Sequence, residues 1–261
     1  MVRRGLPESI PKIEIIGVKG IPLVKPGDDL AELIVKALRQ MGLELEDGDI
    51  VVISLVVVSK AEGRIVQLKD VKVSLQAKYI AEKIGKEAEV VELILREASE
   101  ILRFRNGHLI TRTKQGYVCA NSGVDLSNVS GGDAASLLPL NPDESANKIR
   151  RKLQKLTGRK VAVIISDTFG RPFRLGQVNV ALGVSGMEPI HDRRGEKDLF
   201  GRELKVKEIA VADEIASAAE LVMGEASEGI PVAIVRGYRY KASLKPGGRR
   251  ILRPPSKDLF I

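Results

Sequence analysis

Ile50 to Val58 reads Ile-Val-Val-Ile-Ser-Leu-Val-Val-Val, an aliphatic run in which only Ser54 is polar. A segment this apolar cannot face water on either side, so it predicts a strand buried on both faces, of the kind found inside parallel sheets. Val161–Ser166 and Ile230–Val235 repeat the pattern, and Lys12–Val18 forms a fourth, shorter strand. Between them lie helical stretches. Asp28 stands as an N-cap before Leu30, Leu33, Ile34, Ala37, Leu38 and Met41, and Gly42 stops that helix. A helical stretch broken near Gly85 spans Leu75 to Leu102, with Val91, Ile94, Leu95, Ala98 and Leu102 on one stripe. Asp143–Leu156 forms a basic amphipathic helix closed by Gly158, and Val211–Met223 a helix ending at Gly224. Short strands are expected at 107–113 and 117–120. Their irregular alternation with helices predicts a mixed α/β or α+β fold, not a simple doubly wound sheet.

At 261 residues the chain can build one large core or two small ones. It carries 42 basic and 34 acidic residues, a surplus matched by Arg236, Arg239, Lys241, Lys245, Arg249, Arg250, Arg253 and Lys257 near the C-terminus. That tail could bind a polyanion such as nucleic acid, be solvated, or dock a second subunit. Its one cysteine, Cys119, excludes a disulfide framework or a cysteine-based zinc cluster, and suits the reducing cytoplasm. No apolar run is long enough to span a membrane, and the basic N-terminus lacks the apolar core of a secretory signal.

Two long passages rich in polar residues, Gly and Pro read as functional loops, 121–143 and 169–177. Three carboxylates occupy loop or strand-end positions. Asp125 lies in Asn-Ser-Gly-Val-Asp-Leu-Ser-Asn, Asp167 leaves an apolar strand beside Thr168, and Glu225 follows Gly224. If they converge, such oxygen donors suit Mg²⁺ or Mn²⁺, and up to two such ions would leave positive charge for phosphate oxygens. Read singly, Asp125 and Asp167 could be turn formers or caps, and Glu225 a solvated acid. Lys60, Arg171 and Arg174 flank the same regions and suit phosphate or carboxylate contacts, or simple surface positions. His191 beside Asp192 is an acid–base candidate, while His108 starts a strand and Cys119 is a buried small hydrophobe. No P-loop, dinucleotide fingerprint, H-E-x-x-H or G-x-S-x-G occurs.

The ordered segments Gly17–Leu23, Ser59–Arg64, Asn121–Asn128, Leu138–Asp143, Ser166–Arg174, Asp192–Gly195, Asp198–Leu204, Ala212–Ala216 and Leu221–Glu225 together resemble the coenzyme F420-0:L-glutamate ligase family. The resemblance covers about residues 13–237, and a domain over 12–237 is expected between a leader (1–11) and the basic tail (238–261). It implies an α+β fold of intertwined subdomains, a homodimer, and a non-P-loop nucleotide site. It also implies GTP-dependent amide formation between L-glutamate and coenzyme F420-0 through an acyl phosphate; a related ligase acting on another carboxylated cofactor is the alternative. By the same resemblance, Asp125 and Asp167 hold one divalent cation and Thr168 and Glu225 a second, with K⁺ also required. GTP contacts fall on Lys19, Gly20, Ile21, Pro22, Ser54, Leu55, Lys60, Asn128, Met223, Gly224, Glu225, Ala226, Ser227, Glu228, Gly229 and Ile230. Leu55 stands where the pattern leads one to expect a small hydroxyl residue.

Overall fold

The computed structural model describes residues 10–105, 107–129 and 133–258. The chain opens with β1 (Glu14–Gly17), α1 (Leu30–Gln40), β2 (Ile50–Ser54), α2 (Leu55–Ala61), β3 (Ile65–Gln67), α3 (Leu75–Ile84) and α4 (Ala88–Glu97). Next come β4 (Ala98–Arg105), β5 (His108–Thr113), β6 (Val118–Ala120), β7 (Ala134–Ser136), α5 (Pro142–Thr157), β8 (Ala162–Arg171) and β9 (Arg174–Met187). It finishes with β10 (His191–Asp192), β11 (Glu208–Ile209), α6 (Val211–Met223), β12 (Val232–Arg236) and β13 (Ala242–Ser243).

The main sheet has the order β1-β12-β2-β8-β9-β13. β12 is antiparallel to both β1 and β2, and β2 is parallel to β8, so β1, β2 and β8 all point the same way. Each strand contributes to two cores. Val51, Ile53, Val163 and Ile165 pack under α1, α2 and α5, while Ile50, Val52, Ala162 and Ile164 pack under α6. This burial on both faces is what the apolar runs predicted. A satellite layer of α3, α4 and the β4-β5-β6 sheet has its own core around Ile80, Val91, Ile94 and Leu109. Arg64 ties that layer to the body, donating to Glu97 at 2.9 Å and to the Leu138 carbonyl at 2.9 Å.

Several boundaries differ from the sequence expectation. Ile50–Val58 is not one strand: the chain turns at Ser54 and Leu55–Ala61 is helical. The helical stretch ends at Glu97, and Ala98 and Leu102 belong to β4, paired with β5. Asp29, not Asp28, caps α1 by accepting from the Glu32 amide at 3.1 Å; Asp28 instead closes a turn with the Lys25 amide. The 169–177 segment is no loop. It is the end of a long β8–β9 ribbon, paired from Val163–Ser185 out to Arg171–Arg174. Part of 121–143 is also ordered, with β7 pairing β3 and Asp125 bridging Ser136; Ser130 to Gly132 lie outside the described residues.

The basic C-terminal segment lies on its own body. Arg236 is paired with buried Asp49 at 2.8 Å, Arg250 with Glu188 at 2.6 Å, and Tyr238, Tyr240 and Ile251 pack against the α6 core.

Candidate active site

Strand direction assembles the site. The carboxyl ends of β1, β2 and β8 and the entry to β12 lie along one edge of the sheet, where α/β folds bind ligands. β1 delivers Lys19–Pro22 there, β2 delivers Ser54–Leu55, β8 delivers Asp167–Thr168, and the α6–β12 connection delivers Met223–Ile230. Backbone bonds fix these neighbours: the Val18 amide donates to Val232 O at 2.8 Å and the Ser54 amide to Pro231 O at 2.9 Å. Ser54 and Ser166 are register partners, which puts Asp167 one residue past the Ser54 level.

Asp167 follows a β-bulge between Ile165 and Ser166, a device that re-aims side chains next to functional sites. Its carboxyl is pushed up to about 7, chiefly by burial and further by the negative fields of Asp125 and Glu225; a hydrogen bond donated by the Thr168 backbone amide offsets part of this. The three carboxylates singled out in the sequence therefore share one electrostatic neighbourhood. Asp125 is held from the other side by its backbone bridge to Ser136, and its carboxylate accepts from the Ser127 amide at 2.9 Å. Glu225 is exposed on the turn after α6. That turn needs Gly224: its φ is +68°, and a Cβ there would lie 2.3 Å from the Glu228 side chain. Glu228 accepts from the Ala226 amide at 2.8 Å and so shapes the loop.

Among the described residues, no three His, Cys, Asp or Glu side chains close round a single point. Such an open arrangement fits Mg²⁺ or Mn²⁺ shared with substrate phosphates, because these ions take one or two carboxylates plus phosphate and water oxygens. Asp125, Asp167 and Glu225 offer carboxylate oxygens and Thr168 a hydroxyl, an oxygen-only donor set of the kind these hard cations take.

Lys60, near the end of α2, is half-buried, and among the described residues no carboxylate pairs with it; burial lowers its pKa. Lys19, Gly20 and Pro22, which follow β1, are exposed, as is Asn128 in a left-handed turn with φ 52°. Leu55 is buried in the α1 core, so its side chain offers the site nothing and only its backbone is available. Arg171 and Arg174 are not gathered round Asp167. They face each other near the ribbon tip, roughly 13 Å along the strand from Asp167, and Arg171 donates to the Leu175 carbonyl at 2.6 Å. Cys119 is buried and its thiol is pushed up to about 12, chiefly by burial, so it is no nucleophile. His191 is exposed on β10, 4.0 Å from Glu196 and away from this edge.

Sequence reading missed Asn179. It is 3% exposed, faces Thr168 across the ribbon, and accepts a 2.8 Å hydrogen bond from the Thr168 hydroxyl. A polar residue inside the alternating run Val178-Asn179-Val180 was the available signal.

Residues 18–237 match the family model described as F420-0:Gamma-glutamyl ligase. The chain is 53% identical over 249 residues to the coenzyme F420:L-glutamate ligase of Methanothermobacter thermautotrophicus, covering 95% of this chain and 98% of that one. It is 50% identical to the protein of the same name from Methanocaldococcus jannaschii, over 95% of this chain and 97% of that one. From Archaeoglobus fulgidus the corresponding ligase is 50% identical, over 87% and 88%. With the family match spanning most of the fold and all three carboxylates inside it, this chain belongs to the F420-0:gamma-glutamyl ligase family.

Proposed function

We propose that this protein joins L-glutamate to coenzyme F420-0 by an amide bond, with GTP as phosphoryl donor. The observation that supports this most is the electrostatic meeting of Asp125, Asp167 and Glu225 at the carboxyl ends of the parallel strands, within a chain of this family. A carboxylate is a poor acyl donor because oxide would have to leave. In the proposed reaction the acceptor carboxylate attacks the γ-phosphorus and GDP departs. The glutamate amine then attacks the acyl carbon of the acyl phosphate, loses a proton, and phosphate departs with the electrons of the C–O bond.

Asp125 with Asp167, and Thr168 with Glu225, would hold two divalent cations, Mg²⁺ or Mn²⁺. Bound there, the ions offset the mutual repulsion of triphosphate and carboxylate. Lys60 adds a fixed positive charge, and the Lys19–Pro22 and Met223–Ile230 loops frame the nucleotide. Holding both substrates in line supplies ~7–11 kcal/mol of the barrier without any covalent enzyme intermediate. By the family resemblance alone, K⁺ is proposed as a further requirement; the cytoplasm is proposed as the location because a single cysteine suits a reducing compartment. Among the described residues no helix is long and apolar enough to cross a membrane.

Lys60→Ala should weaken binding of a fluorescent GTP analogue by about 10–100-fold and leave thermal stability unchanged or higher, since a half-buried, unpaired ammonium is lost. Unchanged nucleotide affinity in an equilibrium titration would remove Lys60 from the site.

We also propose a homodimer. Two ribbons expose apolar side chains without cover in one subunit: Leu175 at the β8–β9 tip (96% exposed) and Leu199 and Phe200 between β10 and β11 (99% and 96%). Clusters of this kind mark subunit contacts. Leu175→Asp combined with Phe200→Asp should shift the protein to monomer in sedimentation analysis, whereas an unchanged oligomer would place the interface elsewhere.

A further inference from the structure

We infer that Asn179 is a positioning residue that turns the Thr168 hydroxyl so that its lone pairs, not its proton, face the cation it would hold. The inference rests on the two-cation reading above. A threonine hydroxyl has one proton and two acceptor lone pairs, and its rotor is free unless a partner fixes it. Here Thr168 Oγ1 donates to Asn179 Oδ1 at 2.8 Å. With the proton committed across the ribbon, only oxygen lone pairs remain for the open side. Asn179 is itself fixed. It is 3% exposed, sits opposite Thr168 in the β8–β9 register, and its backbone carbonyl accepts from the Ser217 hydroxyl of α6 at 2.7 Å. Since α6 leads directly into Glu225, the same helix that secures Asn179 presents the other proposed oxygen donor of that cation. Outer partners of metal ligands commonly act this way, and their loss costs 10–100-fold in metal affinity.

The test is Mn²⁺ binding, read by electron paramagnetic resonance with a non-hydrolysable GTP analogue present, so that no turnover is needed. Wild-type protein should bind two Mn²⁺. Asn179→Ala should weaken one of them about 10–100-fold and leave the other, held by Asp125 and Asp167, as an internal check on folding. Asn179→Asp, when ionised, can only accept from the Thr168 hydroxyl, so it should bind both ions at least as tightly as wild type. In a Thr168→Val background, Asn179→Ala should cost nothing further, because the effect passes through the hydroxyl. The inference is overturned if Asn179→Ala binds both ions at wild-type affinity, if Asn179→Asp weakens a site as much as alanine does, or if the Thr168 and Asn179 effects add. If Asn179→Ala does not fold, Asn179→Val, which suits a buried strand but offers no acceptor, takes its place with the same expected loss. Wild-type protein that takes up no Mn²⁺ with nucleotide overturns the two-cation reading itself, a result distinct from any of these.

Discussion

Asp167→Asn should abolish ligation, by on the order of 10³-fold or more, while making the metal-free protein more stable at pH 8. Both effects come from one property. Burial and the fields of Asp125 and Glu225 raise the Asp167 carboxyl to about 7, so the fold favours its neutral form. A carboxyl raised above its unfolded value contributes stability that is fully present below about pH 4. That contribution is lost as pH rises towards 7, because over this range the folded state holds a proton that the unfolded state has released. At pH 8 the wild-type carboxylate is a net cost, on the order of 1–3 kcal/mol, that the uncharged amide does not carry. For a chain of this size that amounts to roughly 2–10 °C in Tm. Asparagine cannot replace an anionic cation ligand, so the catalytic gain from charge compensation disappears. The same titration predicts that divalent-ion affinity falls about tenfold per pH unit below 7, as the ion must displace a proton. An Asp167→Asn variant that melts lower than wild type at pH 8, or ligates within tenfold of it, would contradict this account of Asp167.

Asp143→Ala should produce the largest loss of stability. The Asp143 carboxylate is 5% exposed and accepts from the Val184 amide at 2.9 Å and the Gly248 amide at 2.7 Å, with the Arg249 amide at 3.3 Å. It thereby joins the first turn of α5, the outer edge of β9 and the returning C-terminal segment. Truncation leaves buried amides without acceptors, each costing ~1–3 kcal/mol, for a total of about 3–5 kcal/mol. The approach is so close that position 248 takes only glycine: a Cβ there would lie 1.9 Å from the Leu182 carbonyl. Gly248→Ala should therefore release the same segment. Both variants are expected to lose about 8–15 °C in thermal unfolding and to become sensitive to trypsin at Arg249 and Arg250. A loss below about 2 °C with the tail still protected would show that the segment is not held by this clasp.

Much of the fold was legible because capping chemistry is local. Gly158 closes α5 and Gly224 ends α6 as expected, while α5 begins at Pro142, one residue before the expected Asp143, with Asn141 as its cap. The failures were non-local. Leu55–Val58 has the composition of a strand, and only the turn at Ser54 and burial against α1 make it helical. Ala98 and Leu102 continue the helical spacing of α4 but are taken by pairing with β5. Gly170, Pro172 and Gly176 read as a loop, yet the cross-ribbon ladder carries the segment as a strand pair with a tight tip. At the site, Asp125, Asp167 and Glu225 stood out as carboxylates beside glycines or at the end of an apolar run, although each read singly also fits a turn, a cap or a solvated acid. Their convergence depends on three strands and one helix end meeting at one sheet edge, which spacing along the chain does not encode. Arg171 and Arg174 looked equally placed, and the length of the ribbon carries them away. Asn179 was hidden because a single asparagine among valines is also what an ordinary strand can contain.

The most direct test of the central claim is mass spectrometry of coenzyme F420-0 after incubation with the protein, L-glutamate, Mn²⁺ and GTP, with GDP and phosphate measured in parallel. The proposed reaction predicts a gain of one or more glutamyl residues, one GDP and one phosphate per amide formed, and no gain without GTP or with the divalent ion chelated. Acceptor that stays at its starting mass while the protein is folded and nucleotide-bound, or that gains glutamate equally well without GTP, would contradict it.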